Sequence, residues 1–242
     1  GGAMLEASQV EGLRLRNVEF DGKGQAEYGV QINGHAAGVA LEGVTVRNVS
    51  AAGVRLWNAA GEAGRPVVLD RVRVVLPASA EAGVLAYTTG DLDNRFVAVR
   101  DGRFEGPGKA GVRFDGPAAE FEVTNCRFYN LGAAGASFAR PTARPSKLAL
   151  THNTFYQMPV GLHFEAPAAE LGAYSVKASL NYFAKTPNLL LAAEAVPGLA
   201  ATDNLHDPNS SKLPDPNPND DAAFLRFPIN PPTIGGHRVG AQ

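Results

Sequence analysis

Two short motifs recur along this chain with one shared period. The first alternates apolar and polar residues, passes a turn residue and closes on an apolar or aromatic side chain. It runs LRLRNVEF to Phe20, VALEGVTV to Val46, VVLDRVRV to Val74 and VAVRDGRF to Phe104, then FEVTNCRF to Phe128, LALTHNTF to Phe155 and VKASLNYF to Phe183. The second is a glycine followed by alternating residues: YGVQIN, AGVRLW, AGVLAY, AGVRFD, AGASFA and VGLHFE, led by Gly29, Gly53, Gly83, Gly111, Gly135 and Gly161. PNLLLA, with Asn188 in the glycine place, makes a seventh. In both series successive units lie 24 to 30 residues apart. A unit that short is no domain, but it suits one coil of a solenoid built from several short strands.

Alternation with period two marks half-buried strands. No segment between the motifs carries a 3.6-residue apolar period, so the crossovers that parallel strands require are not helices. Gly 27 and Pro 17 of 242 residues exceed the usual share of about 12% and supply the turns. Each coil should therefore stack on the last, with equivalent positions ~4.8 Å apart along the axis. The rungs Asn17-Val18-Glu19-Phe20 and Asn125-Cys126-Arg127-Phe128, with the Gly-Val rungs, resemble the right-handed parallel β-helix of the pectin-lyase-like superfamily, with its PbH1-type repeats. The resemblance implies an all-β, single right-handed solenoid of about seven coils over residues 10–192. It is poor for function, because that fold hosts lyases, hydrolases, epimerases, adhesins and inert stalks.

The ends read differently. Gly1-Gly2-Ala3-Met4 resembles a protease-site scar, so residues 1–9 are expected to be a leader outside the fold. The missing leader signal suggests a segment taken from a longer polypeptide. Residues 193–242 are rich in Pro, Asn and Asp, as in LPDPNPNDD at 213–221. A wrapping tail is expected there, with Phe224-Leu225-Arg226-Phe227 through Val239-Gly240-Ala241 folding back along the coils to cover an open edge. The ending is similar to tails of β-helix domains in bacterial surface and signalling proteins, including some appended to serine/threonine kinases. The compartment is not written in the residues, and the resemblance implies an extracytoplasmic or cell-surface one.

Composition excludes several classes. A formal net charge of −2 leaves no general basic coat for nucleic acid. No run of about 18 apolar residues is present to insert in a membrane. The single cysteine, Cys126, permits neither an internal disulfide nor a cysteine zinc site. It is expected to be a buried, inert thiol.

Alternation after each glycine assigns the faces. Val30/Ile32, Val54/Leu56, Val84/Ala86, Val112/Phe114, Ala136/Phe138 and Leu162/Phe164 point inward. One outward column reads Gln31, Arg55, Leu85, Arg113, Ser137, His163, and the next reads Asn33, Trp57, Tyr87, Asp115, Ala139, Glu165. Trp57 and Tyr87 on neighbouring coils suit stacking on sugar rings, with Arg55 and Arg113 beside them to hold hydroxyls or carboxylates. Alternatively the two rings pack on each other or lie under the tail. Asp115 and Glu165, two coils apart, would sit at the separation of an inverting glycosidase pair across Ala139 and Ser137, with His163 tuning one acid. Alternatively they are solvated carboxylates opposite Arg113. A further stripe, Glu19, Thr45, Arg73, Arg103, Arg127, Thr154, Tyr182, stacks three arginines. It would hold an anionic polysaccharide or be an ion-pair ladder with Glu105 and neighbouring acids.

The family's Asp-rich calcium sites and its hydrolase Asp clusters are not present, and no phosphate loop, nucleophile elbow or paired metal spacing occurs. Asp91, Asp93, Asp220 and Asp221 read as solvated, and His152 as a turn residue beside Asn153. No metal or cofactor is expected. The leading expectation is a non-catalytic ligand-binding or sensory module for a glycan or other polyanionic or polyhydroxyl ligand. A glycan-degrading hydrolase or lyase using Asp115 and Glu165 is the second, and a structural spacer or adhesion stalk the third.

Overall fold

The computed structural model describes residues 2–140, 146–210 and 232–241. Each coil has three legs. The front leg is the glycine motif: Ala3–Ser8, Tyr28–His35, Ala52–Ala60, Ala82–Tyr87, Ala110–Asp115, Ala134–Arg140, Val160–Phe164 and Asn188–Leu191. A second leg runs through Arg14–Arg16, Ala40–Glu42, Val67–Asp70, Asn94–Arg100, Ala118–Thr124, Ser146–Thr151, Tyr174–Ser179 and Leu199–Thr202. The third is a three-residue strand at Glu19–Asp21, Thr45–Arg47, Arg73–Val75, Arg103–Glu105, Arg127–Tyr129, Thr154–Tyr156, Tyr182–Ala184 and Leu205–Asp207. Every ladder between neighbouring coils is parallel, and the chain is an all-β solenoid of about seven turns. The one helix among the described residues is the 3-10 turn Ala168–Ala173, and none is long and apolar enough to cross a membrane.

The bend between the second and third legs explains the turn residue of the first motif. Asn17, Gly43, Arg71, Asp101, Asn125, His152, Leu180 and Asp203 all take φ between 51° and 62°, one per coil. Asparagine tolerates this left-handed backbone well. Leu180 does not, and the columns on either side hold it there. The next residue turns inward at the bend. Here Asn153, Asn181 and Asn204 form a ladder, each carboxamide oxygen accepting the backbone N–H of the coil before at 2.9–3.0 Å. Their amide groups donate to Val123, Leu150 and Ala178 carbonyls. Cys126 occupies the same column, fully buried, with its thiol pKa pushed up to about 12 by burial.

The two motifs are complementary halves of one packing rule. A Cβ built on Gly83, Gly111, Gly135 or Gly161 would lie 2.1–2.3 Å from a ring carbon of Phe104, Phe128, Phe155 or Phe183 respectively. The absent side chain makes room for the phenylalanine column across the core. Those rings then stack at centroid spacings of 5.2, 4.8 and 4.6 Å. Phe114, Phe138 and Phe164 stack in a second column at 5.2 and 4.3 Å, with Tyr174 set edge-on against the last two.

The coils reach beyond the boundaries expected from the sequence. Residues 3–8 are a front strand rather than a leader, with Leu5 over Val30 and Ala7 over Ile32, because AMLEAS has the same inward alternation as its neighbours. Residues 199–207 add strands past 192. Of the tail, residues 232–241 lie on the third-leg sheet. Phe224, Leu225, Arg226, Phe227, Asp220 and Asp221 lie outside the described residues.

Candidate functional site

The front-leg register follows the alternation coil by coil. Gln31, Arg55, Leu85, Arg113, Ser137 and His163 are successive partners in one column, continued by Leu191. Asn33, Trp57, Tyr87 and Asp115 are partners in the next. There the column breaks. The register shifts after Phe114, and Asp115 pairs with Arg140 instead of Ala139. A bulge in the Ala134–Arg140 strand re-aims the column by one residue.

That shift decides the fate of Asp115, while Glu165 is held from the unshifted column. The Arg140 guanidinium takes Asp115 through Nε at 2.5 Å and a second nitrogen at 3.2 Å. Arg113 grips Glu165 with two nitrogens at 2.7 and 3.0 Å, and the Ser137 hydroxyl donates to the same carboxylate. Burial raises the Glu165 pKa. The hydrogen bonds from Arg113 and Ser137 and the Arg113 charge outweigh that, so the net shift is downward. A general acid needs the opposite shift. His163 Nδ1 lies 3.9 Å from Glu165 Oε1, beyond a hydrogen bond. The expected carboxyl pair is thus two separate arginine–carboxylate clamps.

Two arginines of the third-leg stripe are likewise paired. Arg73, Arg103 and Arg127 do stack in register. Glu105, two residues on from Arg103, bridges the first two: Arg73 Nε reaches Oε1 at 2.9 Å and Arg103 Nε reaches Oε2 at 3.0 Å. Arg103 and Arg127 are only 7% and 6% exposed. Around Arg73 and Arg103 this is the ion-pair ladder, because stacked like charges are neutralised before they are buried.

The remaining cluster is aromatic. The Arg55 guanidinium carbon lies 4.9, 4.6 and 4.8 Å from the ring centroids of Tyr28, Trp57 and Tyr87. Trp57 and Tyr87 meet edge to face, 6.4 Å between centroids. Arg55 donates to the Gln31 carboxamide at 3.1 Å. Among the described residues no carboxylate lies within ion-pair distance of it, unlike Arg73, Arg103, Arg113 and Arg140. The Trp57 indole N–H and the Asn58 amide both donate to the Thr89 hydroxyl, which fixes the tip of the adjoining loop. Beside the rings a cavity of about 320 Å³ is lined by Tyr87, Thr88, Thr89, Gly90, Asp115, Gly116 and Arg140.

Sequence reasoning brought Trp57, Tyr87, Arg55 and Arg113 to one face but missed Tyr28 and Arg140. Tyr28 had a readable signal, since it stands where the other coils carry Ala52, Ala82, Ala110, Ala134 and Val160. Arg140 had none, because nothing in AGASFAR marks a bulge. Asp93 lies 3.5 Å from Arg95. No group of three or more metal-ligating side chains occurs among the described residues. No family model, curated protein or solved structure matches this chain.

Proposed function

We propose that this solenoid is a non-catalytic recognition module of the pectin-lyase-like kind whose front face binds a glycan or similar polyhydroxyl ligand. The observation that carries this is the Arg55 cluster. Three half-buried rings and a cation without a carboxylate partner share one outward patch next to a cavity. Aromatic rings offer apolar faces to the C–H side of a sugar, and the flanking Thr89, Asn58 and Gln31 offer hydroxyl and amide partners. Arg55 is pinned by the rings and by Gln31, so little side-chain freedom is left to lose on binding.

The hydrolase or lyase alternative is disfavoured by the clamped carboxylates. Glu165 is held ionised, and each acid would have to leave a two-point arginine grip before it could act. The spacer alternative draws support from the same self-contained ion pairs. A glycan-binding screen of the wild type beside Trp57→Ala/Tyr87→Ala, with reducing-end release assayed on every hit, separates the three. Binding that falls at least about tenfold in the variant, without release, is the expected result. Release abolished by Asp115→Asn or Glu165→Gln would establish an enzyme. Silence across a broad panel would leave the spacer.

A further inference from the structure

The cavity beside Tyr87 has a charged wall that unbroken columns would not build. Tyr87, Asp115 and Arg140 are successive partners on three coils, and Arg140 enters that column only through the register shift that follows Phe114. Bulges of this kind re-aim a side chain, often at a site. Thr88, Thr89 and Gly90 continue the lining from Tyr87, and Gly116 continues it from Asp115. Gly116 keeps the space open, since its φ is 128° and a Cβ there would collide with the Thr88 hydroxyl. The volume of about 320 Å³ is at the low end for small-molecule sites, about 300–1,000 Å³. It takes one sugar ring rather than a stretch of chain.

The polar groups on this wall are only partly used by one another. Arg140 Nε and one terminal nitrogen face the two Asp115 oxygens at 2.5 and 3.2 Å. Each carboxylate oxygen keeps a further lone pair, and the guanidinium keeps protons beyond those that face Asp115 and the Tyr87 hydroxyl. The pair therefore presents acceptors and donors side by side with no net charge. Thr89 Oγ1 accepts from Trp57 and Asn58, which fills both lone pairs and leaves its proton to give. Arg55 is turned to the three rings and Gln31 and is not among the residues lining the cavity.

We propose that this cavity is a single-sugar subsite that selects a neutral ring with adjacent free hydroxyls, Asp115 accepting from them and Arg140 donating to them. The proposal rests on the front face being a glycan-binding surface. A hydroxyl both gives and takes a hydrogen bond, so a neighbouring pair satisfies both partners at once. A sugar carboxylate only accepts, and in bonding Arg140 it meets the Asp115 charge. A sugar ammonium only donates, and in bonding Asp115 it meets the Arg140 charge. Specificity then comes from the repulsive partner as much as from the attractive one.

The test titrates the full chain with three matched sets of oligosaccharides: neutral glucose, mannose and galactose chains, their uronic-acid counterparts and their amino-sugar counterparts. Trp57, the only tryptophan, reports binding by its fluorescence. The neutral set should bind at least about tenfold more tightly than either charged set. Arg140→Gln should shift the preference at least about tenfold toward the amino sugars, and Asp115→Asn as far toward the uronic acids, because each leaves one charge uncompensated. A merely structural role would weaken all three sets alike. A wild type that prefers a charged set overturns the proposal, and so do variants that keep the wild-type order of the three sets. Binding with no neutral preference removes the subsite alone, whereas no binding to any set removes the glycan reading of the front face and the subsite with it. Arg140 has 65% of its side chain exposed, so Arg140→Gln carries the test if Asp115→Asn does not fold.

Discussion

Arg55 and Glu165 are oppositely constrained, and each makes a measurable prediction. Arg55 faces three rings, and each such contact is worth about 0.5–1 kcal/mol when partly exposed. Arg55→Ala should lower unfolding stability by about 1–2 kcal/mol in urea titration. Arg55→Lys should recover only part of it, since an ammonium cannot cover three rings and keep the Gln31 bond. Glu165 has a folded pKa below its ordinary value. The unfolded chain thus binds a proton first as pH falls. The stabilisation from its clamp is fully present above the ordinary carboxylate range and is lost as pH drops through the folded pKa. Partial exposure keeps the effect small. Glu165→Gln should flatten the acid limb of stability against pH below about pH 4.5. An unchanged limb would show that the Arg113 clamp does not persist in solution.

Among elements, the glycine and phenylalanine columns must be altered together. Gly111→Ala places a methyl 2.1 Å from the Phe128 ring and should cost about 1–3 kcal/mol or more by overpacking. Phe128→Leu alone should also destabilise, but the double variant should lose less than the sum of the two, because the smaller side chain relieves the ring clash, while the 2.8 Å approach to the Gly135 carbonyl persists. Additivity in a denaturant cycle would contradict this packing. Asn181→Ala should cost about 1–3 kcal/mol by leaving the Asn153 amide and the Leu150 carbonyl without their buried partner. Most of this level was legible in the chain. Period-two alternation named the inward columns from Val30 to Phe164, and the Cys126 thiol, expected to be buried, is inside. The Ala139/Arg140 bulge was not legible, since one extra residue leaves the spacing within the natural spread of the repeat. The burial of Arg103 and Arg127 was not legible either. For Arg103 it rests on Glu105 of the same rung, which also reaches Arg73 of the coil before, and alternation places both side chains outward without fixing how deeply they sit.

For the whole molecule, the architecture follows from the repeat, while its limits do not. The first strand was hidden in a segment that looked like a cloning remnant, and the last rungs in a stretch where the glycine signature had already faded to Asn188. Recurrence identifies a coil only when it has neighbours to resemble, and terminal coils have one. The steady parallel register has a further consequence for how such a chain changes length. Val84, Val112 and Ala136 occupy one column, as do Phe104, Phe128 and Phe155. Excising residues 112–135 would join Gly111 to Ala136 and bring Val84 directly against Ala136 with every column still in phase. The product should be a folded solenoid about 4.8 Å shorter, without the Arg113 and Asp115 clamps and with Tyr87 beside Arg140. A misaligned recombination event between two such units makes that cut in a single step. The coil is thus a heritable unit of length, and the reach of the front face can be lengthened or shortened without redesigning the core.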